Sequence, residues 1–241
     1  MTTTDKQPLG EREILRYRKR PRIVHAMLAG SFLVLLLTGL IVLWPPLSGL
    51  AAGGFTRWLH RVAAVVFIAV PFVYLLVDRE GAKELMVDSF KYDRDDYRWL
   101  KRVWSYAFGH TANMPKQGRL NAGQKLHHAA VMLLSAAIVV SGLLMWFFMP
   151  SLGPTGQAWF AVIHVLAMLA LSLLLVGHLY FTFVYKALSG MTRGYIDIDD
   201  ARLEHAKWVE EIESQVAHEA EATVPNEKEE LLELSQRKGN E

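Results

Sequence analysis

Three stretches of the chain carry no Asp, Glu, Lys or Arg: between Arg22 and Arg57, between Arg61 and Asp78, and between Lys125 and Lys186. Soluble domains scatter charge along most of their length. A bilayer separates it, because an ion at the centre of the hydrocarbon costs several kcal/mol. The remaining charge collects in the N-terminus, in residues 79–125 and in the tail after Lys186. The pattern predicts an all-α integral membrane protein.

Punctuation divides the apolar sequence into four helices. The first covers about 23–44 and is stopped by Pro45-Pro46. The second covers about 58–77, with Pro71 inside it. The third covers about 126–148, before Pro150, Gly153 and Pro154, and the fourth about 159–185. Each approaches or exceeds the ~20 residues needed to cross the hydrocarbon. Trp44, Trp58, Trp146 and Trp159 fall near helix ends, as in aromatic belts. The first run is too long for the apolar part of a cleaved signal and reads as a retained helix.

Lys and Arg set the orientation. Seven lie up to Arg22, ten in residues 79–125 and seven from Lys186 onward. Arg57 and Arg61 are the pair near the first short loop, and residues 149–158 have none. The reading is a cytoplasmic segment 1–22, a membrane domain 23–186 and a cytoplasmic tail 187–241. Both termini and the long middle loop then face the cytoplasm, and the two short Gly/Pro loops face outward. The middle loop reads as packed on that surface, with a short interfacial helix as its rival. Residues 200–220 read as a surface helix, and the chain after Val224 as disordered or partner-dependent. No basic stripe interleaved with aromatics marks a nucleic-acid partner; the surroundings are membrane lipid. With no cysteine, iron–sulfur clusters, Cys-ligated zinc and covalently attached haem are excluded from this chain.

Histidines carry the chemistry. His25 opens the first helix at the inner side, and His60 opens the second at the outer side. His164 lies near the outer end of the fourth helix and His178 near its inner end. The step of 14 residues returns to within about 40° of the same face after about 21 Å of rise. His60 matches His164 in depth, and His25 matches His178. A four-helix bundle that offers two imidazole pairs suits bis-histidine ligation of two b-type haems. His127 and His128 open the third helix, and either is placed to replace His25. Gly30, Gly39, Gly142 and Gly177 are points where helices can approach. His110, His205 and His218 read as bystanders. Before the third helix stands Asn121-Ala122-Gly123-Gln124-Lys125. Its polar groups suit either a helix cap, with Asn121 as cap residue, or a quinone site beside the inner haem.

Over roughly residues 12–215 the chain resembles the cytochrome b (gamma) subunit of membrane-bound respiratory formate dehydrogenase. The resemblance rests on Asn121-Ala122-Gly123-Gln124-Lys125, on Trp58-Leu59-His60 and on Ile163-His164 with the step to His178. Tyr180, Phe183, Lys186, Gly190-Met191 and the Trp208 to Glu213 region match as well. His127-His128 departs from the apolar pair of that family. The resemblance implies His60 and His164 on an outer haem and His25 and His178 on an inner one. It places Asn121, Gly123 and Gln124 at a menaquinone or ubiquinone site. It also implies a molybdenum or tungsten catalytic subunit that oxidises formate and an iron–sulfur subunit that feeds electrons to this chain. The chain itself would transfer electrons and reduce quinone. A competing reading is the cytochrome b subunit of a nickel–iron hydrogenase or thiosulfate-type reductase; the Asn-Ala-Gly-Gln-Lys run favours formate dehydrogenase. A haem-free anchor or proton relay calls for acids inside the spans, and there are none.

Overall fold

A computed structural model describes residues 13–238. The chain opens with strand β1 (Glu13–Leu15) and helix α1 (Lys19–Leu43), followed by a 3-10 turn and the one-turn α2 (Ser48–Ala51). Next come α3 (Phe55–Val77), α4 (Arg79–Phe90), α5 (Arg94–Leu100) and α6 (Val103–Ala107). The long helices α7 (Ala122–Phe147) and α8 (Gly153–Val184) follow, then α9 (Leu188–Thr192), strand β2 (Tyr195–Asp197) and α10 (Ile198–Lys238).

Among the described residues, four helices, α1, α3, α7 and α8, are long and apolar enough to cross a membrane. Their surfaces stay largely uncovered: Leu37, Leu76, Leu133 and Leu173 are each more than 60% exposed. Lipid, not water, is the solvent such faces need. The chain is an integral membrane protein. α1 packs along α3, and α7 along α8, as two hairpins.

Helix ends differ from expectation for local reasons. α7 starts at Ala122 because Asn121 caps it: its Oδ1 accepts from Gln124 N at 2.9 Å, and Gln124 Oε1 accepts from Asn121 N at 3.1 Å. That reciprocal pair is a capping box. α8 starts at Gly153, with Pro154 in its first turn, where a missing N–H costs nothing. α3 continues through Pro71 without a break. Neighbouring groups in a bundle tolerate such a proline.

One end of the bundle carries a polar cap. β1 pairs antiparallel with β2, with Ile14 opposite Ile196, a ribbon the all-α reading did not contain. Ile14 and Ile196 pack with Ala201 and Val209 of α10. The 79–107 segment forms three short helices. Trp99 and Tyr106 are buried in it, while Trp104 is 74% exposed. α10 kinks at His205, and its backbone is helical to Lys238. Of the N-terminal segment, residues 1–12 lie outside the described residues.

Candidate functional site

The imidazoles meet across the two hairpins in two places. His60 of α3 faces His164 of α8 with ring centres 6.4 Å apart, tilted by 56°. His25 of α1 faces His178 of α8 with centres 6.1 Å apart, tilted by 47°. α8 thus supplies one member of each pair from two depths. An imidazole nitrogen bonds a transition metal at about 2.0–2.1 Å and sits about 1.1 Å from its ring centre, so two rings sharing one ion stand with centres about 6.2 Å apart. Both pairs have that spacing. Among the described residues, no group of three or more His, Asp or Glu gathers to chelate a bare ion. The donor set therefore fits a planar group that brings its own equatorial ligands, as haem does.

The rivals also have definite places. The His127 ring stacks on His178 at 5.3 Å and 15°, nearly 1 Å closer than an ion between them allows. His128 Nδ1 lies 2.9 Å from Ser89 Oγ of α4, a tie to the polar cap.

Glycines stand beside both rings of the outer pair: a Cβ on Gly39 would lie 3.8 Å from His60 Cε1, an ordinary contact, and Gly142 is tighter. A Cβ on Gly142 would stand 3.1 Å from His164 Cε1, whereas nothing lies within 4 Å at Gly30 or Gly177. Gly142→Ala is expected to push the His164 ring and to destabilise the chain by about 1–3 kcal/mol. Thermal unfolding in detergent would measure it.

The Asn-Ala-Gly-Gln-Lys run is closely engaged. Beyond the capping box, Asn121 Nδ2 donates to Tyr106 Oη at 3.4 Å. Ala122 N donates to Gln117 Oε1 at 2.8 Å. A Cβ on Gly123 would stand 2.8 Å from Trp99, so the indole needs a glycine there. Lys125 Nζ binds Asp96 Oδ2 at 2.7 Å and Lys91 O at 2.9 Å. Gln124 borders a small cavity of about 40 Å³ that Arg16, Tyr185, Glu204 and His205 also line.

That pocket reveals groups the sequence reading passed over. His205 is 3% exposed. Its Nδ1 lies 3.0 Å from Gly118 O and its Nε2 3.3 Å from the Arg16 guanidinium. Burial, then the Arg16 charge, hold it well below the usual histidine range. It stays neutral and makes no ion pair with Glu204. A signal existed, because Ala201, His205, Val209 and Ile212 fall at helical spacing on one face of α10. Tyr106 Oη donates to Glu204 Oε1 at 2.5 Å. Burial raises both groups, Glu204 to about 7. An acid whose folded value is raised holds its proton more tightly when folded. Its contribution is intact below about 4.5 and is lost as pH rises toward 7, a change of about 3 kcal/mol for a shift of this size. Glu204→Gln is expected to flatten that slope when unfolding is followed by tryptophan fluorescence between pH 5 and 8.

Imidazole pairs presented from facing membrane hairpins are the donor set that a membrane cytochrome b uses. The chain belongs to the prokaryotic cytochrome b561 family, whose model matches residues 16–194. Membership implies haem b. The formate dehydrogenase cytochrome b556(fdo) subunit of Escherichia coli (strain K12) is 26% identical over 215 residues, 86% of this chain and 97% of that protein. The formate dehydrogenase cytochrome b556 subunit of Haemophilus influenzae is 24% identical over 205 residues, 82% of this chain and 83% of that protein. The nitrate-inducible cytochrome b556(Fdn) subunit of Escherichia coli (strain K12) is 23% identical over 212 residues, 85% of this chain and 94% of that protein.

Proposed function

We propose that this chain is the cytochrome b subunit of a formate dehydrogenase complex and carries electrons through two haems b to a quinone. The observation that carries the reading is the pair of imidazole spacings, 6.4 Å and 6.1 Å, at two depths of one membrane bundle. His60 and His164 would hold an outer haem, and His25 and His178 an inner one. When bound, haem supplies a reversible one-electron site at each depth. The residues of this chain would set those sites apart along α8 and hold the rings facing each other. Electrons would enter from an iron–sulfur partner fed by a molybdenum or tungsten formate-oxidising subunit. The similarity to formate dehydrogenase cytochrome b subunits along most of the chain supports that donor.

Quinone, menaquinone or ubiquinone, would bind at the end of the bundle that carries the polar cap. This end, with both termini, would face the cytoplasm of a bacterial cell, a reading that the Lys and Arg counts of the loops support. Asn121, Gly123 and Gln124 would frame the site. Asn121 caps α7 and reaches Tyr106, Gly123 admits the Trp99 indole, and Gln124 borders the small cavity beside Arg16 and Glu204. Protons for the quinone would come from that aqueous side.

The test is a reduction assay on the complex purified from its native membrane. Formate, added anaerobically, should reduce the b-type absorption, and a quinone analogue should reoxidise it. Reduction by hydrogen and not by formate would move the chain to the hydrogenase reading.

A further inference from the structure

The two hairpins repeat one small device at the outer histidine pair. On α1, Thr38 is buried, and its Oγ1 lies 2.7 Å from Val34 O and 3.1 Å from Leu35 O. The same oxygen lies 2.8 Å from His60 Nδ1. On α7, Ser141 is buried, with its Oγ 2.7 Å from Ala137 O and 3.1 Å from Ile138 O. That oxygen lies 3.1 Å from His164 Nδ1. Each helix lends a hydroxyl to the histidine of its hairpin partner.

A hydroxyl has one proton and two lone pairs, and a carbonyl can only accept. The proton of Thr38 therefore goes to the helix carbonyl one turn back, a common arrangement for Ser and Thr in membrane helices. The oxygen then accepts from the ring, so Nδ1 of His60 carries the hydrogen. The same holds for Ser141 and His164. In both rings Nε2 is left bare, in the form a metal ligand needs. The inner pair differs. Among the described residues, His25 and His178 make ring contacts with each other and, for His178, with His127. Among the described residues, no hydroxyl or carbonyl is hydrogen-bonded to either of their rings.

We infer that Thr38 and Ser141 are positioning residues that lock His60 and His164 with Nε2 toward a shared iron and hold the outer centre at a lower potential than it would otherwise have. The inference rests on the haem ligation proposed above and goes beyond it. An acceptor on Nδ1–H makes the imidazole a stronger base. A stronger base favours the more positive, oxidised iron and lowers the reduction potential. With hydroxyls at the outer pair alone, the device favours electron flow from the outer centre to the inner one.

The experiment uses the full-length chain with optical redox titration and electron paramagnetic resonance of the oxidised haems. Variants are Thr38→Val, Ser141→Ala and the double change, with Thr38→Ser and Ser141→Thr as hydroxyl-keeping controls. Expected is a positive shift of one haem component, larger in the double variant, with a changed low-spin signal for that component alone. The hydroxyl-keeping variants should titrate as the wild type does. Loss of that one haem in the valine and alanine variants, restored in the controls, would also support positioning. Wild-type potentials and signals in the double variant would overturn the inference. A wild-type chain that holds no haem at the outer pair would overturn the ligation reading itself, and the inference with it.

Discussion

His164→Ala is expected to leave the purified chain with about half its haem, and His60→Ala is expected to remove the same spectral component. The two residues sit on different helices, 104 positions apart in sequence, yet their rings face each other at 6.4 Å. His178→Ala and His25→Ala should remove the other component. His164 and His178 share α8 and should still act on different haems. A wrong pairing is therefore visible at once, as a variant that erases a component assigned to the other depth. Loss of a partner behind a ligand typically costs about 10–100-fold in affinity or activity, and loss of the ligand itself should cost more. Electron delivery to quinone should thus fall at least 100-fold in each variant, roughly the upper end of that range. Difference spectra and stopped-flow reoxidation measure both effects.

Lys125→Ala is expected to cost about 3–5 kcal/mol, because it leaves a buried carboxylate without its partner. Lys125 and Asp96 side chains are 11% and 3% exposed and meet at 2.7 Å. The same ammonium also binds the carbonyl of Lys91, the residue that ends α4. One charge thus ties α4, α5 and α7 together beneath the first turn of the membrane helix. Asp96 in turn closes the capping box of α5 by accepting from Asp93 N at 2.7 Å. Lys125→Ala should expose the 79–121 segment to limited proteolysis and lower the unfolding temperature. Paired with an apolar replacement of Asp96, the loss should shrink, since a well-packed apolar pair often matches a buried ion pair. The outer haem should keep its spectrum, because His60 and His164 lie at the far end of the bundle.

The membrane spans were legible because a bilayer excludes charge, and 60 residues without one between Lys125 and Lys186 admit few other folds. Their ends were less legible, because capping decides them. Pro154 reads as a stop after the third helix and serves instead as the opening of α8. The histidine depths could be read from a rise of 1.5 Å per residue. The device behind them could not, because Thr38 and Ser141 look like any small polar residue in a membrane helix. The β1–β2 ribbon was hidden as well. Its strands have three residues each and lie about 180 positions apart, too short for any period to show. In the Asn-Ala-Gly-Gln-Lys run, sequence left cap and quinone site open. The structure makes the cap, and it gives Gly123 a separate reason in the Trp99 indole. His205 was read as a tail bystander because its partners, Arg16 and Gly118, are remote in sequence.

The central claim is two haems b per chain, one at each imidazole pair. Pyridine haemochrome quantitation against protein mass, on the detergent-purified full chain, tests it most directly. About two haems b per chain are expected, one to each pair of nitrogen ligands. A folded, membrane-inserted chain without haem would contradict it and return the histidines to ordinary helix packing.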